Sequence, residues 1–88
     1  MGVKFNYKGH ELHVDQYIRS IRLYVDKEQV DMVSGFFETQ LSDVSLKTVV
    51  NGPDHSVDRI VITVKRQLLT NEVTLFANDE KIETKYLI

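Results

Sequence analysis

The stretch Asp26-Lys-Glu-Gln-Val30-Asp-Met-Val-Ser-Gly35-Phe-Phe-Glu-Thr-Gln40-Leu-Ser-Asp-Val44 decides how the chain is read. Val30, Val33, Phe37, Leu41 and Val44 recur at spacings of 3, 4, 4 and 3, which would line them along one helical stripe. Glu28, Asp31 and Glu38 would fall on the other side. Asp26 with Gln29 has the form of an N-terminal cap and its partner three residues on. This spacing predicts an amphipathic helix over about residues 27–42. Gly35 would then sit on the polar side, without leaving a hole in the stripe.

Outward from that stretch the pattern is strand. Val3 to Tyr7 and Glu11 to Val14 flank Lys8-Gly9, a tight-turn pair in which Gly accepts positive φ. Tyr17 to Val25 is rich in β-formers, with Ile21, Leu23 and Val25 on one face and Arg22 and Tyr24 on the other. Val44 to Val50 runs into Asn51-Gly52-Pro53-Asp54, the strongest turn signal in the chain. Val57 to Arg66 carries apolar residues on both faces, as a central strand does. Glu72 to Ala77 alternates, Asn78-Asp79-Glu80 turns, and Lys81 to Ile88 places Ile82, Tyr86 and Ile88 on one face. That face is expected to be buried, with two alternatives: the edge or the apolar side chains beside it meet a second copy or a partner strand, or Ile82 and Tyr86 simply complete the monomer core.

The fold class expected is therefore α+β: a mostly antiparallel sheet of six to seven short strands with the helix packed on one face. The expected core sets Val30, Val33, Phe37 and Leu41 against Ile21, Leu23, Ile60, Ile62, Val64, Val73 and Leu75. An alternative is all-β. Ile21-Arg-Leu-Tyr-Val-Asp-Lys-Glu-Gln-Val-Asp31 matches Val73-Thr-Leu-Phe-Ala-Asn-Asp-Glu-Lys-Ile-Glu83 position by position, and a duplicated hairpin unit would abolish the helix.

Eighty-eight residues make one domain, and 42% hydrophobic with 27% charged residues is the composition of a folded chain. The absence of cysteine excludes disulfides and thiolate metal sites and fits a reducing, cytoplasmic setting. No apolar run reaches a membrane span, and the first residues lead into charge, so no membrane association is expected. The formal charge of −2 opposes a nucleic-acid footprint. Residues 26–43 hold five acids against Lys27, while residues 57–70 hold Arg59, Lys65 and Arg66 against Asp58.

Catalytic constellations are wanting. His55-Ser56 places base and hydroxyl on neighbouring residues that point apart, and the four glycines are too scattered for a phosphate loop. His10 and His13 are three apart in a strand, hence on opposite faces. The expectation is a non-enzymatic protein-interaction module without a cofactor, either a homo-oligomer subunit or a small adaptor or inhibitor of a larger protein. Asp31 and Glu38, projecting from the helix stripe, and Tyr24, Phe76 and Tyr86 are its candidate partner-binding residues. The rival expectation is a small-ligand or metal-binding protein using the turn around His55, and no metal ligand set is assigned.

Overall fold

The computed structural model describes residues 2–87. Eight strands run β1 (Gly2–Tyr7), β2 (His10–Gln16), β3 (Ser20–Val25), β4 (Glu28–Ser34), β5 (Val44–Asn51), β6 (Val57–Arg66), β7 (Asn71–Ala77) and β8 (Glu80–Leu87), with one short helix, α1 (Phe36–Gln40), between β4 and β5. They form two antiparallel four-stranded meanders, β1-β2-β3-β4 and β5-β6-β7-β8. β4 lies beside β5 and β1 beside β8, so the two sheets enclose one interior in a body of 40 × 22 × 18 Å.

That interior is filled by alternate residues of both sheets, as the period of two requires. Phe5, Leu12, Val14, Ile21 and Leu23 come from the first sheet. Leu46, Val50, Ile60, Ile62, Val64, Val73, Leu75, Ala77 and Leu87 come from the second. All belong to one cluster, with Val3, Tyr7, Val25, Val33 and Val44 packed at its rim.

The expected helix over 27–42 is replaced by two different things: strand β4 and, after Gly35, little more than one helical turn. The α+β reading with six to seven strands gives way to the all-β alternative, supplemented by this turn. Asp26 is not a helix cap. It and Lys27 hold φ of 50° and 72°, the paired positive values of a type I′ hairpin turn. The helical stripe does not face the core as a unit: Val30, Phe37 and Leu41 are exposed, and only its strand residues Val33 and Val44 are half-buried. Gly35 makes the switch from strand to helix. Its φ of 112° is one that a side chain rarely adopts, and a Cβ there would meet the Glu38 carboxylate at 2.1 Å.

The sequence echo corresponds to a repeated hairpin, β3-β4 and β7-β8. Asn78 and Asp79 repeat the turn with φ of 50° and 69°. In β3-β4 the register shifts after Leu23, which faces Asp31 while Tyr24 faces Gln29. In β7-β8 it shifts after Leu75, which faces Glu83 while Phe76 faces Lys81. Val30 and Ile82 are thus the extra residues of equivalent β-bulges, and both are exposed.

This register also corrects the face assigned to the last strand. Tyr86 opposes Glu72, Leu87 opposes the β7 residue Asn71, and Leu87 is the buried side chain while Ile82 and Tyr86 are exposed. A one-residue offset moves every side chain to the other face. Ile88, the third residue of that expected face, lies outside the described residues. β1 runs alongside β8, although the strand orders of the two sheets do not pair them.

The two seams between sheets are crossed by charged side chains of edge strands. At β4/β5 the Asp31 carboxylate accepts the backbone N–H of Lys47 at 2.8 Å and that of Met32 at 2.8 Å. At β1/β8 the Lys85 ammonium donates to the carbonyl of Lys4 and lies 5.4 Å from the Phe5 ring centroid. Charges opposite Leu23 and Val73 on otherwise inward rows suit edge strands, since they discourage pairing with foreign strands.

Candidate functional site

The meander topology gives the molecule two unlike ends. Four turns, at Lys8-Gly9, Asp26-Lys27, 52–56 and Asn78-Asp79, gather at one end. The β2-β3 loop, α1 and the β6-β7 loop gather at the other.

The turn end is held by polar side chains. Asp58 is buried at the start of β6, yet every bond it accepts comes from a turn or strand end. It accepts the Tyr7 hydroxyl at 2.7 Å, the Lys8 ammonium at 2.8 Å and the Asn78 side-chain amide at 3.0 Å. The Lys8 bond first, then those from Tyr7 and Asn78, pull its pKa down to about 2. The same carboxylate pushes the Tyr7 phenol and the Lys8 ammonium above their ordinary values. Near neutral pH the acid is ionised and both donors keep their protons. That is an electrostatic clasp joining three turns, not a proton relay. Beside it, His10 Nδ1 lies 2.7 Å from Asp26 and Nε2 lies 2.7 Å from the Asn51 carbonyl oxygen. The Asp26 contact chiefly, and then the carbonyl, raise the pKa of His10. His55, with φ of 63°, is exposed on its own turn. Among the described residues no group of three His, Cys, Asp or Glu side chains could hold a metal ion.

The opposite end is built differently. Beneath it lies Arg66, part-buried, whose guanidinium donates to the carbonyls of Ser42 (2.9 Å) and Thr39 and to Gln16 Oε1 (3.2 Å). Burial lowers its pKa. Gln16 in turn donates to the Thr39 carbonyl, and Asn71 donates to Gln16. Gln40 at the end of α1 donates to the carbonyls of Tyr17 (3.4 Å) and Ile18 (3.0 Å), and the Gly35 N–H to that of Arg19. These bonds fasten α1 to the β2-β3 loop through backbone carbonyls and leave the apolar side chains outside. Tyr17, Ile18, Phe36, Phe37, Leu41, Leu68 and Leu69 are all exposed, Leu68 to 96% and Leu69 to 83%. Seven large apolar residues on three segments at one end exceed the scatter of single hydrophobics that a protein surface carries.

Between the β2-β3 loop and α1 this end sinks into an open depression of about 840 Å³, walled by Tyr17, Ile18, Arg19, Arg22, Gln40 and Asn71 among others. Arg22 lies 4.8 Å over the Tyr17 ring centroid and donates to the Ser20 hydroxyl. The Tyr17 phenol is pushed up to about 12 by its bond with the Tyr24 hydroxyl first and then by Asp15.

The partner-binding candidates taken from the sequence are dispersed. Glu38 is on α1, at the apolar end. Asp31 is tied into the β4/β5 seam. Tyr24 is half-buried on the first sheet, 6.0 Å from His13 between ring centroids, while Phe76 is half-buried and Tyr86 exposed on the second. Tyr24 and Phe76 therefore occupy equivalent positions in the two hairpins and do not build one patch. The apolar end itself was missed. Its signal in the sequence was Leu68-Leu69, an aliphatic pair set between Gln67 and Thr70 where strand alternation stops. No protein-family model, curated protein or solved structure matches this chain.

Proposed function

We propose that the protein is a non-enzymatic protein-interaction module, and that its contact surface is the end formed by the β2-β3 loop, α1 and the β6-β7 loop. The observation that carries this reading is the exposure of Leu68 and Leu69 at the same end of the molecule as the exposed Ile18, Phe37 and Leu41. Burying such residues against a partner would recover roughly 1.5–3 kcal/mol for each side chain fully covered, before the costs of association. Surfaces of this kind concentrate binding energy in a few apolar and aromatic anchors.

Site-specific photo-cross-linking tests the proposal. A benzophenone amino acid at Leu68 or Phe37, expressed in the native cell, is expected to give discrete protein adducts, either with a second copy or with another protein. The same group at Pro53, on the turn end, serves as the control. Equal labelling from Pro53 and Leu68, or none from either, would remove this end as the contact surface.

A further inference from the structure

We infer that the depression between the β2-β3 loop and α1 receives a peptide segment of a protein partner in which a carboxylate stands next to a large apolar side chain. This rests on the protein-interaction reading and names the chemistry of the partner. Charge complementarity is the argument. The walls carry two guanidinium groups, Arg19 and Arg22, and no carboxylate. Asp15, opposite Arg22 in the β2-β3 register, accepts the Tyr17 hydroxyl at 3.1 Å and lies outside the lining. Arg19 is exposed and makes no ion pair among the described residues.

Arginine suits this task because its planar fork can donate two parallel hydrogen bonds to one carboxylate. Arg22 is already oriented for it by the Tyr17 ring and Ser20. Ile18 and Tyr17 supply the apolar wall for the neighbouring anchor. A whole anionic bilayer fits less well. Glu38 on α1, Asp43 before β5 and Glu72 near the start of β7 stand around the same end and would repel it, whereas a peptide confined to the depression need not meet them.

The probe is a phage-displayed library of random peptides, panned against the full chain. Recovered sequences are expected to place Asp or Glu beside Leu, Ile, Phe or Trp. A synthetic peptide of that consensus, followed by fluorescence anisotropy, is expected to weaken about tenfold or more with Arg19→Glu and with Ile18→Asp. His55→Ala, at the other end, is expected to leave its affinity unchanged. Changing the peptide's acid to lysine should abolish binding to the native protein and restore it to Arg19→Glu. Both altered residues are exposed, and unchanged urea midpoints would verify that the variants fold. A basic or uncharged consensus, no recovered consensus, or an affinity indifferent to Arg19→Glu would overturn the inference. So would tighter binding to phosphatidylserine-containing vesicles than to any recovered peptide. If these fail while Leu68 still cross-links to protein, the interaction surface stands and only the partner chemistry falls. If both fail, both fall.

Discussion

Replacing Phe5 and Phe37 in turn with Ala sets the two-sheet architecture against the helical reading of residues 27–42. Phe5 is 0% exposed within the common core, whereas Phe37, the centre of the apolar stripe, is 63% exposed. Truncating a fully buried phenylalanine removes its transfer free energy and leaves a cavity, for a loss of about 3–5 kcal/mol. A chain of 88 residues has a total stability of roughly 4–13 kcal/mol, so Phe5→Ala consumes a large share of it and is read at low denaturant. Ile62→Val is the milder companion. It deletes one methylene from a side chain that is also 0% exposed, and about 1 kcal/mol there corresponds to a fall in Tm of about 4–8 °C. Phe37→Ala, in contrast, is expected to stay within about 0.5 kcal/mol of the native protein. Urea denaturation followed by tyrosine fluorescence and far-UV circular dichroism measures all three. A loss at Phe37 comparable to that at Phe5 would mean that the segment packs on the core after all, and the arrangement of β4 and α1 would be wrong.

Other consequences are as direct. Asp58 has a depressed folded pKa, so its stabilising contribution is complete above the unfolded value of 3.8 and is lost as pH falls toward about 2. Urea midpoints of the native protein should drop across that interval, and Asp58→Asn, already deprived of the charge, should flatten the drop. The raised pKa of His10 runs the opposite way: its contribution is complete below 6.5 and is lost as pH rises through the higher folded value. An NMR titration should find His10 above 6.5, and Asp26→Asn should bring it down. Asp31→Ala removes the acceptor for the Lys47 N–H across the β4/β5 seam. A loss of about 0.5–1.5 kcal/mol is expected, with faster hydrogen exchange at the Lys47 amide as its local sign.

Much of the sheet was legible from residue order. Ile21, Leu23, Ile60, Ile62, Val64, Val73 and Leu75 are buried as their alternation implies, and β6 is central in its sheet with β5 and β7 on either side. Lys8-Gly9 forms the expected tight turn. The region 26–44 misled because periodicity measures where apolar residues recur, not what they face. β4 is an edge strand without a fully buried residue, and its exposed bulge residue Val30 falls in helical register with the exposed Phe37 and Leu41 by coincidence. The echo between residues 21–31 and 73–83 held the contrary information. Its equivalent positions share turn geometry, bulge and core leucine, and a segment matching a hairpin that ends in Asn78-Asp79 is poorly suited to begin a helix at Asp26. The bulges themselves were not readable, since nothing in Val30 or Ile82 distinguishes an extra residue from a paired one. They are also why simple alternation assigns the wrong face to the last strand.

The unlike ends follow from where each part of the fold gets its stability. At the turn end, side chains close the structure: Asp58, Tyr7, Lys8, Asn78, His10 and Asp26 are occupied with one another. Each hydrogen-bonds or ion-pairs with at least one of the others. At the other end most of the closing acceptors are backbone carbonyls, those of Tyr17, Ile18, Arg19, Thr39 and Ser42, which any sequence would supply, joined by the side-chain oxygens of Gln16 and Asp43. The donors come from a few fixed residues, Arg66, Gln16, Gln40 and the Gly35 N–H. The exposed apolar side chains on those segments lie outside the core cluster. Exposed Leu68, Leu69, Ile18 and Phe37 therefore gain nothing for the monomer, while each adds to its aggregation risk. Polar replacements at these four positions should leave stability within about 0.5 kcal/mol of the native value and raise solubility. Under the proposed function, an apolar set that is dispensable to the fold and harmful to solubility is accounted for by a partner that covers it. A clear loss of monomer stability on replacing Leu68 and Leu69 together with Ser would break that chain of reasoning at its first link.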